Sequence, residues 1–126
     1  MPPTFDAVIL IAHGARDARW MEPFFRMQAE LGRKLYPKVV ALAFLEFAKP
    51  TFAEAADEVG AKSAQRVLVA PIFLSGGGHV ANDVPGLLRA ERERHPEVTF
   101  IASGAIGEEA EVAAGMIDAV SRLARS

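Results

Sequence analysis

Residues 6–14 read DAVILIAHG, in which the unbroken apolar run Ala7 to Ala12 is followed by a histidine and a glycine. Valine, isoleucine and leucine fill the run without polar alternation, which is typical of a strand buried on both faces. We therefore predict the first strand at Asp6 to Ala12. Strands of this kind belong to parallel sheets covered by helices, and His13 stands where this strand ends.

The rest of the chain repeats the strand–helix alternation three more times. Further strands are predicted at Lys38 to Leu45, Arg66 to Phe73 and Val98 to Ala102. The alternation favours a parallel sheet with right-handed crossovers. We expect one α/β domain over residues 1–126, a single lobe with a four-stranded parallel sheet in the order 2-1-3-4 and helices on both faces.

Helix signals fall between these strands. Thr51 and Glu54 have capping-box spacing at the start of a helix, and Gly60 is predicted to end it. Asp83 is a predicted N-cap, with Pro85 in the first turn that follows. The first and last helices are predicted from apolar stripes, which are Trp20, Phe24, Met27, Leu31 and Leu35, and Val112, Met116, Val120 and Leu123.

The composition excludes several classes of protein. No apolar run approaches the roughly 18 residues of a membrane span, and no signal peptide is evident. The 14 Lys+Arg against 16 Asp+Glu give a net charge of −2, without the basic footprint of a nucleic-acid partner. The absence of cysteine excludes thiolate sites, so any metal must bind nitrogen and oxygen ligands, and it fits a cytoplasmic location.

Three polar side chains follow the strands that meet at the topological switch of the predicted sheet. His13 ends strand 1, Glu46 ends strand 2, and His79 follows strand 3. Strands lie about 4.8 Å apart, so the three side chains can reach one point above the sheet edge. Two imidazoles and a carboxylate with open positions suit Co, Fe, Ni or Zn. The competing interpretation is that each strand-end histidine only hydrogen-bonds the backbone.

Residues near this edge offer contacts for an anionic ligand. The run Gly76, Gly77 and Gly78 is neither a Walker loop nor a dinucleotide fingerprint, but its amides can approach a large or anionic ligand closely. The same run could be only a flexible loop. Arg16 is a candidate cation for substrate carboxylates, and Asp17 is predicted to cap a helix.

Two other side chains receive less specific interpretations. His95 lies at a solvated helix end and is expected to be structural. Trp20 could belong to the core or could flank the site.

The chain resembles the small class II tetrapyrrole chelatases, the short CbiX/SirB-like sirohydrochlorin chelatases. The resemblance is carried by HGARD (13–17), FLE (44–46) and PIFLSGGGHVANDVP (71–85), and it extends to the turn GAIG at 104–107. The most specific part is the strand followed by G-x-H-x-x-x-D-[IV]-P. Ala15 stands where members of the family often have serine, which removes a hydroxyl but touches no predicted ligand.

This resemblance implies insertion of Co²⁺ or Fe²⁺ into sirohydrochlorin for cobalamin or sirohaem, with Ni²⁺ as a variation and no organic cofactor. The implied catalytic and metal-binding residues are His13, Glu46 and His79. Candidates for contact with the eight substrate carboxylates are Arg16, the amides of Gly76, Gly77 and Gly78, and Asn82, with Lys49 as a weaker one. The length of one lobe implies a homodimer that holds the macrocycle between facing sheet edges.

Other functions use the same residues differently. A metal or tetrapyrrole carrier would keep the ligands without catalysis. A metal-dependent hydrolase is disfavoured because no G-x-S-x-G elbow is present. A degenerate structural lobe is disfavoured by the presence of His13, Glu46 and His79.

Overall fold

A computed structural model describes residues 4–126 of the chain, apart from the side chains of residues 79–82. Within these residues four strands alternate with four α-helices. The strands are β1 (Ala7–Ala12), β2 (Val39–Phe44), β3 (Arg66–Pro71) and β4 (Thr99–Ala102). The helices are α1 (Glu22–Leu35), α2 (Phe52–Ala61), α3 (His79–Arg94) and α4 (Ala110–Ala124), and single 3-10 turns at Ala18–Trp20 and Ile106–Glu108 precede α1 and α4.

The sheet has the predicted topology. Its strands are parallel and follow the order β2-β1-β3-β4, with each observed strand inside its predicted range. Ile9 of the central strand pairs with Ala41 of β2 and Val69 of β3. The carboxyl ends of β2, β1 and β3 therefore lie side by side, as the prediction of the candidate site requires.

The two faces of the sheet are covered unequally. On one face α2 and α3 bury a core that includes Phe52, Leu88 and Phe100. On the other face α1 covers the side chains of β1 and β2, where Leu10 and Leu42 are buried. The β3–β4 half of this second face is less covered than the half beneath α1.

The start of α2 is fixed by hydrogen bonds within its first turn. Thr51 Oγ1 accepts a hydrogen bond from the Glu54 amide, and Glu54 Oε1 accepts one from the Thr51 amide at 3.0 Å. This capping box is as predicted, and the Thr51 amide lowers the pKa of the Glu54 carboxyl. The helix prediction was wrong at the other end, because α2 runs one residue past Gly60 and the left-handed conformation falls at Ser63.

The predicted start of α3 was also wrong. The helix begins at His79, so Asp83 is not its N-cap and Pro85 lies inside it. The reason is Gly78, which has φ +64° and turns the chain into the helix directly after the glycine run.

The last helix carries its predicted apolar stripe, but three of the four residues are exposed and the fourth, Val112, is half-buried. All residues of α4 are described, and none of them is buried. Met116, Ile117, Val120 and Leu123 are 45–67% exposed. Separately, none of the helices in the described part of the chain is long and apolar enough to cross a membrane.

Candidate metal-binding site

His13 and Glu46 stand beside each other where β1 and β2 end. The ladder continues past both strands, because the Glu46 amide donates to the His13 carbonyl at 2.9 Å. Gly14 makes this approach possible. It has φ +92°, and a Cβ there would lie 2.0 Å from the Glu46 carbonyl oxygen. Any side chain at residue 14 would therefore push the two predicted ligands apart.

The His13 ring is placed by an aromatic neighbour. Phe73 follows β3 and is 8% exposed, and its ring centroid lies 4.2 Å from that of His13 at an interplanar angle of 46°. The imidazole is itself exposed and lines a cavity of about 420 Å³ with residues 72–75, 77 and 78. One side of the imidazole is thus packed on carbon while the ring still borders space for a ligand.

Glu46 borders a second hollow. This cavity, of about 530 Å³, lies between the start of α2 and the side of α3. Its lining residues include the apolar Phe44, Phe52 and Leu87 and the acidic Glu46, Asp83 and Glu91. His13 and Glu46 are therefore adjacent in the backbone but line neighbouring hollows.

The glycine run is anchored by the turn before α4. The Gly76 amide donates to Glu108 Oε1 at 2.6 Å, and the Gly107 amide donates to the Phe73 carbonyl at 2.8 Å. Gly107 also has no room for a Cβ, which would lie 2.3 Å from Leu74 Cα. The Gly76 amide, a predicted donor to substrate, is thus taken up by Glu108 in this structure. Glu108 was missed from sequence because no local motif links positions 32 residues apart.

Two predicted site residues lie outside the described side chains. His79, the third predicted metal ligand, and Asn82, a predicted substrate contact, both belong to residues 79–82. Both stay predictions.

Arg16 follows His13 by three residues and contacts a residue that follows β2. Its guanidinium carbon is 4.7 Å from the ring centroid of Phe47, a cation–π distance. Phe47 has φ +65° and is 60% exposed. The aromatic partner was not predicted, because its position depends on an unusual backbone conformation after β2.

Asp17 has the structural role expected of it. Its carboxylate accepts hydrogen bonds from the Arg19 amide at 2.9 Å and from the Arg19 guanidinium. The Arg19 side chain lowers the pKa of this carboxyl. Trp20, in the same turn, is 72% exposed and so is not a core residue.

His95 takes part in an ion-pair network between α2 and the end of α3. Its Nε2 lies 2.9 Å from Asp57 Oδ1, and this contact is the main cause of the lowered pKa of Asp57. Arg94 forms ion pairs with Asp57, at 2.7 Å, and with the buried Glu91. The Glu91 carboxylate, together with that of Asp57, raises the pKa of the Arg94 guanidinium. Asp57, Glu91 and His95 are close enough together to hold an ion, but Arg94 already pairs with both carboxylates. The network supports the structural role predicted for His95.

Comparison with known proteins extends these observations. The CbiX family model matches residues 7–123. A sirohydrochlorin cobaltochelatase of Saccharolobus islandicus is 36% identical over 81 residues, which are 64% of this chain and 62% of the relative. The corresponding enzyme of Methanocaldococcus jannaschii is 31% identical over 91 residues, 71% of this chain and 63% of the relative. The chain thus aligns with a little under two thirds of the length of these curated relatives.

Solved structures give the same fold. A structure described as a CbiX protein from Marinobacter aquaeolei has a TM-score of 0.80 at 30% identity, covering 95% of this chain and 98% of its own. SirB from Bacillus subtilis with Fe3+ has a TM-score of 0.77 at 22% identity, covering 86% of this chain but 43% of its own. The family model matches nearly the whole of this chain, and the structure from Marinobacter aquaeolei aligns with it over almost the full length of both chains. The chain therefore belongs to the CbiX family.

Proposed function

We propose that this chain inserts a divalent metal ion, Co²⁺ or Fe²⁺, into sirohydrochlorin. The observation that carries the proposal is the placement of His13, packed on Phe73 and joined through the backbone to Glu46 at the switch point of the sheet. Support comes from family membership and from curated relatives described as sirohydrochlorin cobaltochelatases. The description of SirB with Fe3+ concerns a protein that shares the fold, so iron is retained beside cobalt.

Metal insertion requires an exchangeable ion and the loss of two pyrrole protons. In the reaction M²⁺ replaces two N–H protons of the macrocycle, with no redox change and no covalent intermediate. A neutral imidazole can bind the ion through one nitrogen, and it can also accept a proton. His13 therefore either binds the incoming metal or takes the first proton, with His79 as the proposed second imidazole.

Glu46 has the complementary role. It is exposed at the end of β2 and borders a cavity that is also lined by the acidic residues Asp83 and Glu91. A carboxylate there adds negative charge beside the metal or passes a proton from the imidazole towards solvent. One side of His13 borders a cavity, so a metal bound there would keep open coordination positions. An ion held in this way would be bound weakly enough to be transferred to the substrate.

The substrate would be held by groups that follow β1 and β3 in the chain, of which Gly77 and Gly78 line the His13 cavity. Arg16, the amides of Gly77 and Gly78, and Asn82 are the proposed contacts for its carboxylates. The Gly76 amide would join them only if Glu108 released it, since that bond is 2.6 Å in the structure.

We also propose that the working form is a homodimer. The matched region of SirB is 43% of that chain, so a protein with this fold has the length for about two such lobes. One lobe alone presents a single sheet edge, whereas two facing edges would enclose a macrocycle. The cytoplasmic location expected from the sequence also stays a prediction.

The direct test follows the absorption spectrum of sirohydrochlorin mixed with Co²⁺ or Fe²⁺, with and without the protein. We expect the spectrum of the metallated product to develop faster than in the protein-free mixture and to show multiple turnovers. Binding of either component without faster insertion would contradict catalysis and indicate a carrier.

A further inference from the structure

The segment after β2 holds an exposed aromatic side chain in an unusual backbone conformation. Phe47 directly follows Glu46, a predicted metal ligand, and is 60% exposed. Its φ of +65° lies in the left-handed region, which glycine and asparagine adopt readily and bulky residues rarely do. Strained residues of this kind cluster at functional sites, so the ring of Phe47 is a candidate for a functional role.

Backbone hydrogen bonds fix this segment beside the candidate site. The Phe44 amide donates to the Pro50 carbonyl at 2.8 Å, which closes the residues between them into a compact loop. The Glu46 amide donates to the His13 carbonyl at 2.9 Å, which joins this loop to the one that follows β1. Phe47 is therefore held in a defined position relative to the residues after His13.

The ring of Phe47 contacts Arg16, three residues after His13. The guanidinium carbon lies 4.7 Å from the ring centroid. A guanidinium that lies over an aromatic face keeps the N–H donors in its own plane, where they can bind a carboxylate through two hydrogen bonds. The contact with the ring thus restrains Arg16 and leaves its donors available.

Arg16 has an aromatic partner where several other arginines have a carboxylate. Arg19, Arg33 and Arg94 each form an ion pair, whereas no carboxylate in the described part of the chain pairs with Arg16. The neighbouring carboxylate of Asp17 is bound to Arg19 instead. The charge of Arg16 is thus held in place by a ring and can be neutralised by an external anion.

We propose that Phe47 is a positioning residue, which holds the Arg16 guanidinium ready for a carboxylate at the rim of the macrocycle. This role rests on the proposed function, because it takes sirohydrochlorin as the substrate. A long arginine side chain loses conformational freedom when it binds an anion, and a ring that already restrains the guanidinium reduces this loss. Preorganisation of this kind raises affinity without adding a contact to the substrate.

The placement of the pair suits the rim of a macrocycle rather than its centre. Metal insertion brings the centre of the macrocycle to His13, at the end of β1. Neighbouring strands lie about 4.8 Å apart, so a flat ring centred there extends over the end of β2, where the loop of Phe47 begins. A carboxylate on that side of the rim would meet Arg16.

Equilibrium binding tests the role of the ring apart from catalysis. The affinity for metal-free sirohydrochlorin is measured by absorption titration. Phe47→Asn removes the ring but accepts a positive φ, and it should raise the dissociation constant about fivefold. Phe47→Tyr keeps the ring and should stay within about twofold of wild type. The control Tyr36→Asn removes an aromatic side chain that is 84% exposed at the other end of β2, and it should bind like wild type.

A double variant separates positioning from direct contact with the substrate. Arg16→Met should raise the dissociation constant about tenfold or more, because it removes a charge-assisted contact. Adding Phe47→Asn to this variant should change the affinity by less than about twofold, since the ring then has no guanidinium to hold. Circular dichroism verifies that each variant is folded. A loss of equal size in both backgrounds, or equal affinities for Phe47→Asn and Phe47→Tyr, would overturn the positioning role.

Cobalt insertion by the same proteins separates this role from the proposed function. If both hold, Phe47→Asn raises KM for sirohydrochlorin more than it lowers kcat. The expected binding differences in a protein that inserts no metal would contradict the proposed function and support the role of Phe47. A wild type that inserts cobalt with the same KM as Phe47→Asn would support the function and overturn the role. A wild type that does not bind sirohydrochlorin would overturn both.

Discussion

Replacing Gly14 with alanine should strongly destabilise the protein at the point where β1 and β2 leave the sheet. Residue 14 has φ +92°, a conformation that costs an alanine about 1–2 kcal/mol. The new Cβ would also lie 2.0 Å from the Glu46 carbonyl oxygen. Relieving this contact moves the chain at Glu46 and weakens the hydrogen bond between its amide and the His13 carbonyl, a further loss of about 0.5–1.5 kcal/mol.

Together these terms predict that Gly14→Ala lowers the free energy of unfolding by about 1.5–3.5 kcal/mol. Urea unfolding at 25 °C measures the change. Gly32→Ala is the matched control, because a Cβ there meets nothing within 4 Å and should stabilise α1 by about 0.5–1 kcal/mol. A loss below about 1 kcal/mol for Gly14→Ala would show that the close approach at Glu46 is not required.

Three further predictions concern other parts of the structure. Glu108→Ala should lower the free energy of unfolding by about 1–2 kcal/mol, because it removes the acceptor of the Gly76 amide, and Glu109→Ala should change it much less in the same urea experiment. Thr51→Ala should cost about 1 kcal/mol through loss of the N-cap of α2, measured by thermal unfolding. Asp57→Asn should reduce stability at pH 7, and because the pKa of Asp57 is lowered from 3.8 the difference from wild type should persist down to about pH 4 and shrink below it. A difference that instead grew on acidification would refute the ion-pair role of Asp57.

The sequence was sufficient to predict the sheet because its signals are local and redundant. The runs at β1 and β2 are apolar throughout, and the helices between strands fix a parallel arrangement. The capping box at Thr51 was correctly predicted for the same reason, since both partners lie within one turn. The start of α3 was not, because Asp83 and Pro85 imitate a helix start while the positive φ of Gly78 begins the helix earlier.

The site was predictable in position but not in detail. Strand ends at the switch point placed His13 beside Glu46 correctly. The packing of Phe73 on His13, the bond from Gly76 to Glu108 and the contact of Arg16 with Phe47 depend on chain segments that meet only in the folded protein.

His13 is proposed to bind the incoming metal ion or to accept the first pyrrole proton. The rate of Co²⁺ insertion by a His13→Asn variant tests this role most directly. The control is His95→Asn, the same substitution at the histidine that binds Asp57. Loss of a metal ligand or proton acceptor predicts a fall of about a hundredfold or more for His13→Asn, with an unchanged circular dichroism spectrum. His95→Asn should insert cobalt at the wild-type rate. A folded His13→Asn variant that also kept the wild-type rate would contradict the claim.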